Sequence, residues 1–381
     1  MSIMVLKGDC KITRTFLKNW YKLHKLRTSY KRKINKIYSN VAEKQASQNI
    51  LPDENKHKRR WNVLNKHINP YWYRTYSYIS GIEDINYVPE DLFYGIVEPA
   101  LNDFSLSQAY ADKNFYNKYY PDLNIFPETL IRNINGIFYN GNYECLKENI
   151  EKYFEDEPKI IVKPSLDSGG GRKVQIFYRQ NDDLYYNNQG EKLDIDYLKK
   201  NFKKDYLVQK CIQSQDFFRK LNETSLNTVR IFTYRSVKTN DIIINNSVLR
   251  IGKKGAEVDN QASGGISCFI DENGRLSKHA IDKYGNKYFN IPSNPASKFS
   301  DLGEVPRFNE IKEIAKEIAK RNYYHRLLGL DFCVDSENNI KLVEINNEES
   351  EINFFQMFGA SLFREYTDEI IEYCVLNNLN C

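Results

Sequence analysis

The chain has 381 residues, 41% of them hydrophobic and 14% aromatic, enough length for two or three domains and enough apolar bulk to fill their cores, so a mean hydropathy of -0.64 does not mean disorder. No run of about 18 apolar residues exists to span a bilayer, Lys7, Gly8 and Asp9 cut short any secretory signal after Leu6, and seven scattered cysteines without a C-x-x-C pair exclude a disulfide framework or structural zinc site; a reducing cytoplasm is expected. The net charge of +5 is uneven: residues 1–66 hold 17 Lys and Arg against 4 Asp and Glu, a surplus of +13, which leaves -8 for the rest.

In chain order, Ile12, Phe16, Trp20, Leu23, Leu26, Tyr30, Ile34 and Ile37 recur at three- and four-residue steps and predict one amphipathic helix over 11–38 with a basic outer face. Such a helix either lies on an anionic membrane surface or an acidic partner, or packs its apolar stripe on the enzyme and leaves its lysines in water. The second reading is favoured, because basic solvated faces are common; nucleic acid is the weakest partner, since no recognised binding motif accompanies the charge. Residues 46–60, with Pro52, Asp53, Glu54 and the Lys56–Arg60 cluster, read as an exposed linker. Beyond residue 84 the pattern is mixed: helices over 91–119, a loop with a strand over Asp122–Glu128, and a helix over Cys145–Phe154. Strands are predicted at Lys159–Lys163, Lys173–Phe177, Tyr206–Ile212, Thr228–Tyr234, Ile242–Ile251, Ile266–Ile270, Leu330–Asp335 and Ile340–Asn346, and a helix at Phe308–Arg321 with Ile311, Ile314 and Ile318 on one face. Hairpins with interspersed helices argue for α+β architecture rather than a doubly wound parallel sheet. The five histidines show no metal spacing and read as surface or packing residues, and Cys333 as a space-filling one.

Two stretches carry candidate chemistry. Between the strands ending at Pro164 and starting at Lys173, Gly169, Gly170 and Gly171 let backbone N–H groups approach anionic oxygens, with Lys163 as a point charge beside them. No G-K-[ST] follows, so this is not a Walker A loop; the other reading, a plain hairpin turn with a solvated lysine, stays open on these residues alone. Further on, if Asp335 pairs with Ile340 across Ser336–Asn339, Asp331 falls opposite Glu344, about 5 Å away, and Asn346 points the same way. Two carboxylates and an amide suit Mg²⁺. Solvated acids are the alternative, but the apolar flanks Phe332, Val334, Leu342, Val343 and Ile345, and the repulsion between like charges, favour a cation.

The ordered set Lys163-Pro164 with Gly169–Gly171, Tyr206–Ile212, Asp331 and Glu344-x-Asn346 resembles the ATP-grasp superfamily. Within it, Asn227–Ile231, Arg250-Ile251-Gly252, Val258–Asn260 and Gly264–Ile266 resemble the sugar-transfer-associated branch, over roughly residues 105–375. The resemblance implies ATP clasped between two α+β subdomains, a lid subdomain at 123–210 and a metal-bearing subdomain at 211–375; it leaves unexplained the basic helical extension at 1–66, from which a mixed, helical region at 67–122 leads into the core. It implies that Gln209, Lys210 and Ile212 line the adenine pocket, that Lys113 and Lys163 hold phosphates together with Ser168, Gly169, Gly170 and Gly171, and that Asp331, Glu344 and Asn346 carry Mg²⁺. Arg230 and Arg250, with Lys163, are then the catalytic cations facing the γ-phosphate or the carboxylate being activated, and Asp259, Asn260, Gly264 and Gly265 bind substrate. The implied reaction is ADP-forming ligation of a carboxylate and an amine through an acyl phosphate, with a uronic-acid-type sugar or related envelope-glycan precursor as the acid. The implied setting is cytoplasmic, or peripheral at the inner face of the membrane with residues 11–38 touching the bilayer or a glycan-synthesis complex. The sequence departs from many relatives after Asn346, where Asn347-Glu348-Glu349-Ser350 replaces a commoner Asn-x-x-Pro-Gly ending, which bears on acceptor recognition. The competing function is an ATP-binding module that regulates or assembles glycan enzymes without ligating anything.

Overall fold

The structure, a computed structural model, describes residues 21, 24–26, 28–41, 51–147, 150–154, 157–166, 173–181, 183–256, 259 and 264–378. It comprises two compact units, one made of Met1–Asp103, Tyr234–Asp241 and Glu348–Cys381, the other of Phe104–Thr233 and Ile242–Asn347.

The first unit is helical. Residues 28–41 form a helix whose Ile34, Ile37 and Val41 are buried while Arg32 and Lys36 face outward, with Tyr30 stacked on Tyr94 and Tyr38 on Tyr71. The apolar stripe of this helix is therefore consumed by packing over its described part; residues 11–20, 22, 23 and 27 lie outside the described residues. The expected linker is corrected in part: Glu54–Trp61 is a helix. Its charged residues hide a spacing of three and four at which Glu54, His57 and Trp61 turn inward, Glu54 bound by Arg74 and Lys58 and His57 Nε2 lying 2.9 Å from the Tyr87 carbonyl. Pro70–Ser80 follows, capped by Asn69 accepting from the Tyr71 N–H, started by Pro70 and ended by Gly81 at φ +79°. Farther on, the buried Glu98 carboxylate accepts the N–H groups of Glu349 (3.2 Å) and Ser350 (3.0 Å), and the Tyr94 hydroxyl donates to the Ser350 carbonyl. Burial outweighs these bonds and pushes the Glu98 carboxyl up to about 8.

The second unit holds two large sheets. The first contains β1 (Thr129–Ile134), β2 (Ile137–Asn140), β3 (Lys159–Pro164), β4 (Gln175–Arg179), β5 (Tyr185–Tyr186) and β6 (Tyr206–Lys210), ordered β2-β1-β6-β3-β4-β5, with every neighbouring pair antiparallel. Ile160 and Val162 on β3, Phe177 on β4 and Tyr206 and Val208 on β6 pack with Leu198 from the helix Ile195–Asn201. The second sheet uses β7 (Thr228–Arg235), β8 (Ile242–Ile251), β9 (Ile266–Ile270), β10 (Leu276–Ile281) and β11 (Lys287–Tyr288). Beyond a small hairpin of β12 (Asn290–Ile291) and β13 (Asn294–Lys298), it takes in β14 (Leu327–Val334) and β15 (Ile340–Asn346), giving the order β11-β10-β9-β8-β7-β14-β15. The helix Phe308–Arg321 covers it with Phe308, Ile311, Ala315 and Ile318, on the face its sequence predicts.

The α+β expectation holds, and some local ones do not. No strand occupies Asp122–Glu128; β1 begins at Thr129. The helix expected over Cys145–Phe154 reduces, among the described residues, to the single turn Ile150–Tyr153, because Cys145 bridges to Tyr139. The β1–β2 hairpin turns on Asn135 and Gly136, both at positive φ.

Candidate active site

Alternation along the seven-stranded sheet decides which side chains share a face. Val229 and Ile231 on β7, Leu249 and Ile251 on β8, and Leu328, Leu330, Phe332 and Val334 on β14 join the core, so Arg230, Arg250 and Asp331 project from the opposite face. On β15 the expected register is corrected: Val334, not Asp335, pairs with Ile340, and Phe332 pairs with Leu342. A bulge at Val343 then absorbs the offset and brings Glu344 opposite Asp331 and Asn346 opposite Gly329. Leu342 and Ile345, three residues apart, both lie in the core, which a strand of strict period two cannot achieve; the extra residue turns Glu344 and Asn346 to the site face. Arg250, Arg230, Asp331 and Glu344 thus stand in a row on the neighbouring strands β8-β7-β14-β15.

The row is an ion-pair network. Arg230 grips Asp331 with two parallel bonds, Nε to Oδ1 and Nη2 to Oδ2, each 2.6 Å, and Arg250 Nη1 reaches Oδ2 at 2.9 Å. Burial raises the Asp331 carboxyl, but the two guanidiniums outweigh it and hold the group below the usual range. Lys113 Nζ donates to Glu344 Oε1 at 2.6 Å, and Glu344 is likewise held low against the pull of burial, by Lys113 first. Lys113 is itself fixed by its backbone N–H on the Ser165 carbonyl, just past β3.

Lys163, on the face of β3 away from Ile160 and Val162, is 8% exposed and has no hydrogen bond or ion pair among the described residues. Burial, and then the nearby Lys113 ammonium, push it down to about 8, with Glu344 opposing. Lys163 therefore feels both partners of the Lys113–Glu344 pair. Gln209 shares its sheet face, but the Gln209 amide donates to Thr129 Oγ1 (2.9 Å), and Lys210 is held by Glu128 and Glu157. Ile212 lies just past the end of β6. Asp259 accepts from the Thr228 hydroxyl and is raised by burial against the pull of Arg250. Gly264, at φ +95°, and the buried Gly265 lead into β9. Ser168, Gly169, Gly170, Gly171 and Asn260 lie outside the described residues.

Among the described residues no cluster of three or more His, Cys, Asp or Glu side chains could hold a metal, so a cation here would depend on two carboxylates and an amide. Glu344 Oε2 and Asn346 Oδ1 carry no hydrogen bond among the described residues, Asn346 using its Nδ2 on the Gly329 carbonyl. Asp331 already receives three donors. The donor set fits a hard, oxygen-seeking cation, with Glu344 and Asn346 better placed to accept it than Asp331.

Sequence reading gave Thr228 no role of its own, although it lies within Asn227–Ile231, and took His325 for a surface or packing residue; the buried Ser107–His325–Asn347 cluster is assembled only by the tertiary fold.

The sequence model of the sugar-transfer associated ATP-grasp family matches residues 97–370. No curated protein matches the chain. Among solved structures, the chain is similar to the ATP-grasp ligase PsnB complexed with a minimal precursor, at 12% identity over 70% of this chain and 61% of that one, with a TM-score of 0.36. It is also similar to the D-alanine-D-alanine ligase from Coxiella burnetii (11%, 72% and 59%, TM-score 0.37) and to the VanG D-Ala:D-Ser ligase from Enterococcus faecalis (12%, 70% and 62%, TM-score 0.38). The chain spans about three fifths of the length of these structures.

Proposed function

The chain belongs to the sugar-transfer associated ATP-grasp family, and from that premise we propose that it is an ADP-forming ligase joining a carboxylate to an amine. The observation that carries the reading is the row Arg250, Arg230, Asp331 and Glu344 on one sheet face, with Lys113 on Glu344 and a buried Lys163, unpaired among the described residues, within electrostatic reach. With four cations against two carboxylates, such a cluster carries a net positive charge to offer an anion. Phosphoryl transfer needs positioning and charge neutralisation more than a nucleophilic side chain.

Lys113 and Lys163 would bind the phosphates of ATP, alongside Ser168, Gly169, Gly170 and Gly171. Gln209, Lys210 and Ile212 would meet adenine through backbone groups, since the first two side chains are already bonded. Asp259, Asn260, Gly264 and Gly265 would bind substrate. Mg²⁺, held by Glu344 and Asn346 with Asp331 beside them, would supply neutralisation of the phosphate charge. Arg230 and Arg250 would face the γ-phosphate and the incoming carboxylate. A carboxylate oxygen attacks the γ-phosphorus and the bond to the ADP oxygen breaks. The amine nitrogen then attacks the acyl carbon, the carbon–oxygen bond to phosphate breaks, and the amine proton passes to phosphate or water.

The substrate we assign to this site is a uronic-acid-type sugar or related cell-surface glycan precursor, from the family description alone. The outward cations Arg32 and Lys36 suit peripheral contact with an anionic membrane or a glycan-synthesis complex. ADP release across a panel of sugar acids and amines, with mass spectrometry of the product, tests the ligase. Nucleotide affinity without turnover on any pair would instead identify a binding module.

A further inference from the structure

Three buried polar side chains meet in the second unit where segments leading to the site converge. Ser107, His325 and Asn347 are 3%, 1% and 2% exposed. His325 Nε2 lies 3.3 Å from Ser107 Oγ and 3.5 Å from Asn347 Nδ2, and the same amide donates to the Ser107 carbonyl at 3.0 Å. On its other side, His325 Nδ1 is 2.7 Å from Asn322 Oδ1, and Tyr110 presents its ring at right angles, 5.6 Å away. The donors fix the tautomer. Asn347 Nδ2 can only donate, so Nε2 accepts and the ring proton sits on Nδ1, directed at Asn322 Oδ1.

Each member is anchored to a segment that ends at the site. Ser107 opens the short helix Ser107–Ala111, two residues before Lys113; His325 stands two residues before β14, which carries Asp331; Asn347 directly follows Asn346 at the end of β15. A buried polar cluster is a costly way to fill space unless all its members are satisfied. In return it admits only one alignment of the chains it joins, whereas apolar contacts tolerate sliding.

We propose that His325, through Ser107 and Asn347, is the positioning residue that sets Glu344 and Asn346, at the end of β15, in register around the cation accompanying the nucleotide. The inference rests on the ATP-grasp ligase reading and deepens it. It makes His325 responsible for the coupling between Mg²⁺ and nucleotide, while contacts to the nucleotide on β3 and β6 do not depend on it.

The test is calorimetric binding of ADP to the full chain with and without Mg²⁺, which requires no knowledge of the acid or amine. In the wild-type protein Mg²⁺ tightens ADP binding. In His325→Leu the affinity without Mg²⁺ stays within about twofold, while the tightening by Mg²⁺ falls by about tenfold or more, the usual loss when a ligand-orienting partner is removed. His325→Gln, whose Oε1 can replace the Nε2 acceptor, restores most of the tightening. Ser107→Ala, a smaller perturbation should His325→Leu fold poorly, loses it by about threefold. The proposal is overturned if the tightening survives in folded His325→Leu or in Ser107→Ala, if His325→Gln fares no better than His325→Leu, or if affinity without Mg²⁺ falls in parallel, as a merely structural role would require. ADP binding that is absent from the wild-type protein, with or without Mg²⁺, overturns the nucleotide reading itself and the proposal with it; tightening in the wild type that all variants keep overturns the proposal alone.

Discussion

On the six-stranded sheet the buried cation Lys163 has no counter-charge bonded to it among the described residues, whereas on the seven-stranded sheet Arg230 and Arg250 share the Asp331 carboxylate at 2.6 to 2.9 Å. Both arrangements put charge where water does not reach, and they carry opposite costs. An isolated ammonium is penalised until an anion arrives, so its energy is held in reserve for binding. In the trio each charge already has a bonded partner, so removing the shared carboxylate leaves two guanidiniums stranded. One sheet is poised for a ligand and the other is braced against losing a side chain.

Substitutions should separate along that line, and Asp331→Asn should do the most damage. It leaves two buried guanidiniums facing one neutral amide, a loss of roughly 3–5 kcal/mol for breaking a buried pair, read as a lower urea midpoint; a loss below about 1 kcal/mol would mean that the trio braces nothing. Glu344→Ala comes next, and its effect lies on turnover. Ligation should fall by about a hundredfold or more, on the order of 3 kcal/mol, with the unfolding midpoint little changed because the Glu344 side chain is 24% exposed and pairs with a single lysine. Unchanged turnover in the purified variant would remove Glu344 from the site. Lys163→Met should weaken ADP binding about tenfold, or about 1.4 kcal/mol, yet stabilise the nucleotide-free protein at neutral pH. The sign follows from the lowered pKa: with the folded group near 8 and the free one at 10.5, the unfolded chain binds the extra proton between those values, so wild-type stability rises with pH across that window. Lys163→Met should lack the rise, and ADP binding near pH 8.5 should take up a proton in the wild type only, visible in buffers of different ionisation enthalpy. The last change is read as a slope rather than a midpoint and is expected at Glu98, a buried acid held by backbone N–H groups with no cation bonded to it among the described residues. Its folded value of about 8 against 4.5 gives stability that is complete below pH 4.5 and lost as pH rises through 8. Glu98→Gln should flatten that slope in melting curves taken between pH 5 and 9.

What the amino-acid order revealed of this site was its composition more than its mechanics. Asp331, Glu344 and Asn346 were legible because apolar strands seldom carry acids without use for them. The register that joins them was not, since a bulge leaves no mark in the spacing of Leu342, Val343 and Glu344. The Arg230–Asp331–Arg250 trio was equally hidden, because it depends on β14 lying beside β7, with Arg230 and Asp331 separated by 101 positions in the chain. Asn135-Gly136 is the strongest two-residue hairpin signal a sequence offers, and it marks a pairing that reading for charge and glycine runs passed over. In the helical unit, Glu54–Trp61 escaped notice because its inward face is built from a glutamate, a histidine and a tryptophan rather than aliphatic residues.

The bulge at Val343 gives β15 a change of parity midway along its length. Deleting Val343 would leave strict alternation from Ile340 to Asn346, with Glu344 still opposite Asp331 and Ile345 still opposite Leu330, so the hairpin would keep its facing pairs and lose only the local bend of the bulge. Deleting Glu344 instead would leave Val343 in the place opposite Asp331 and strip the acid from the site. Position 343 is thus a spare residue in the ladder, dispensable for which face each neighbour takes, whereas residue 344 is not.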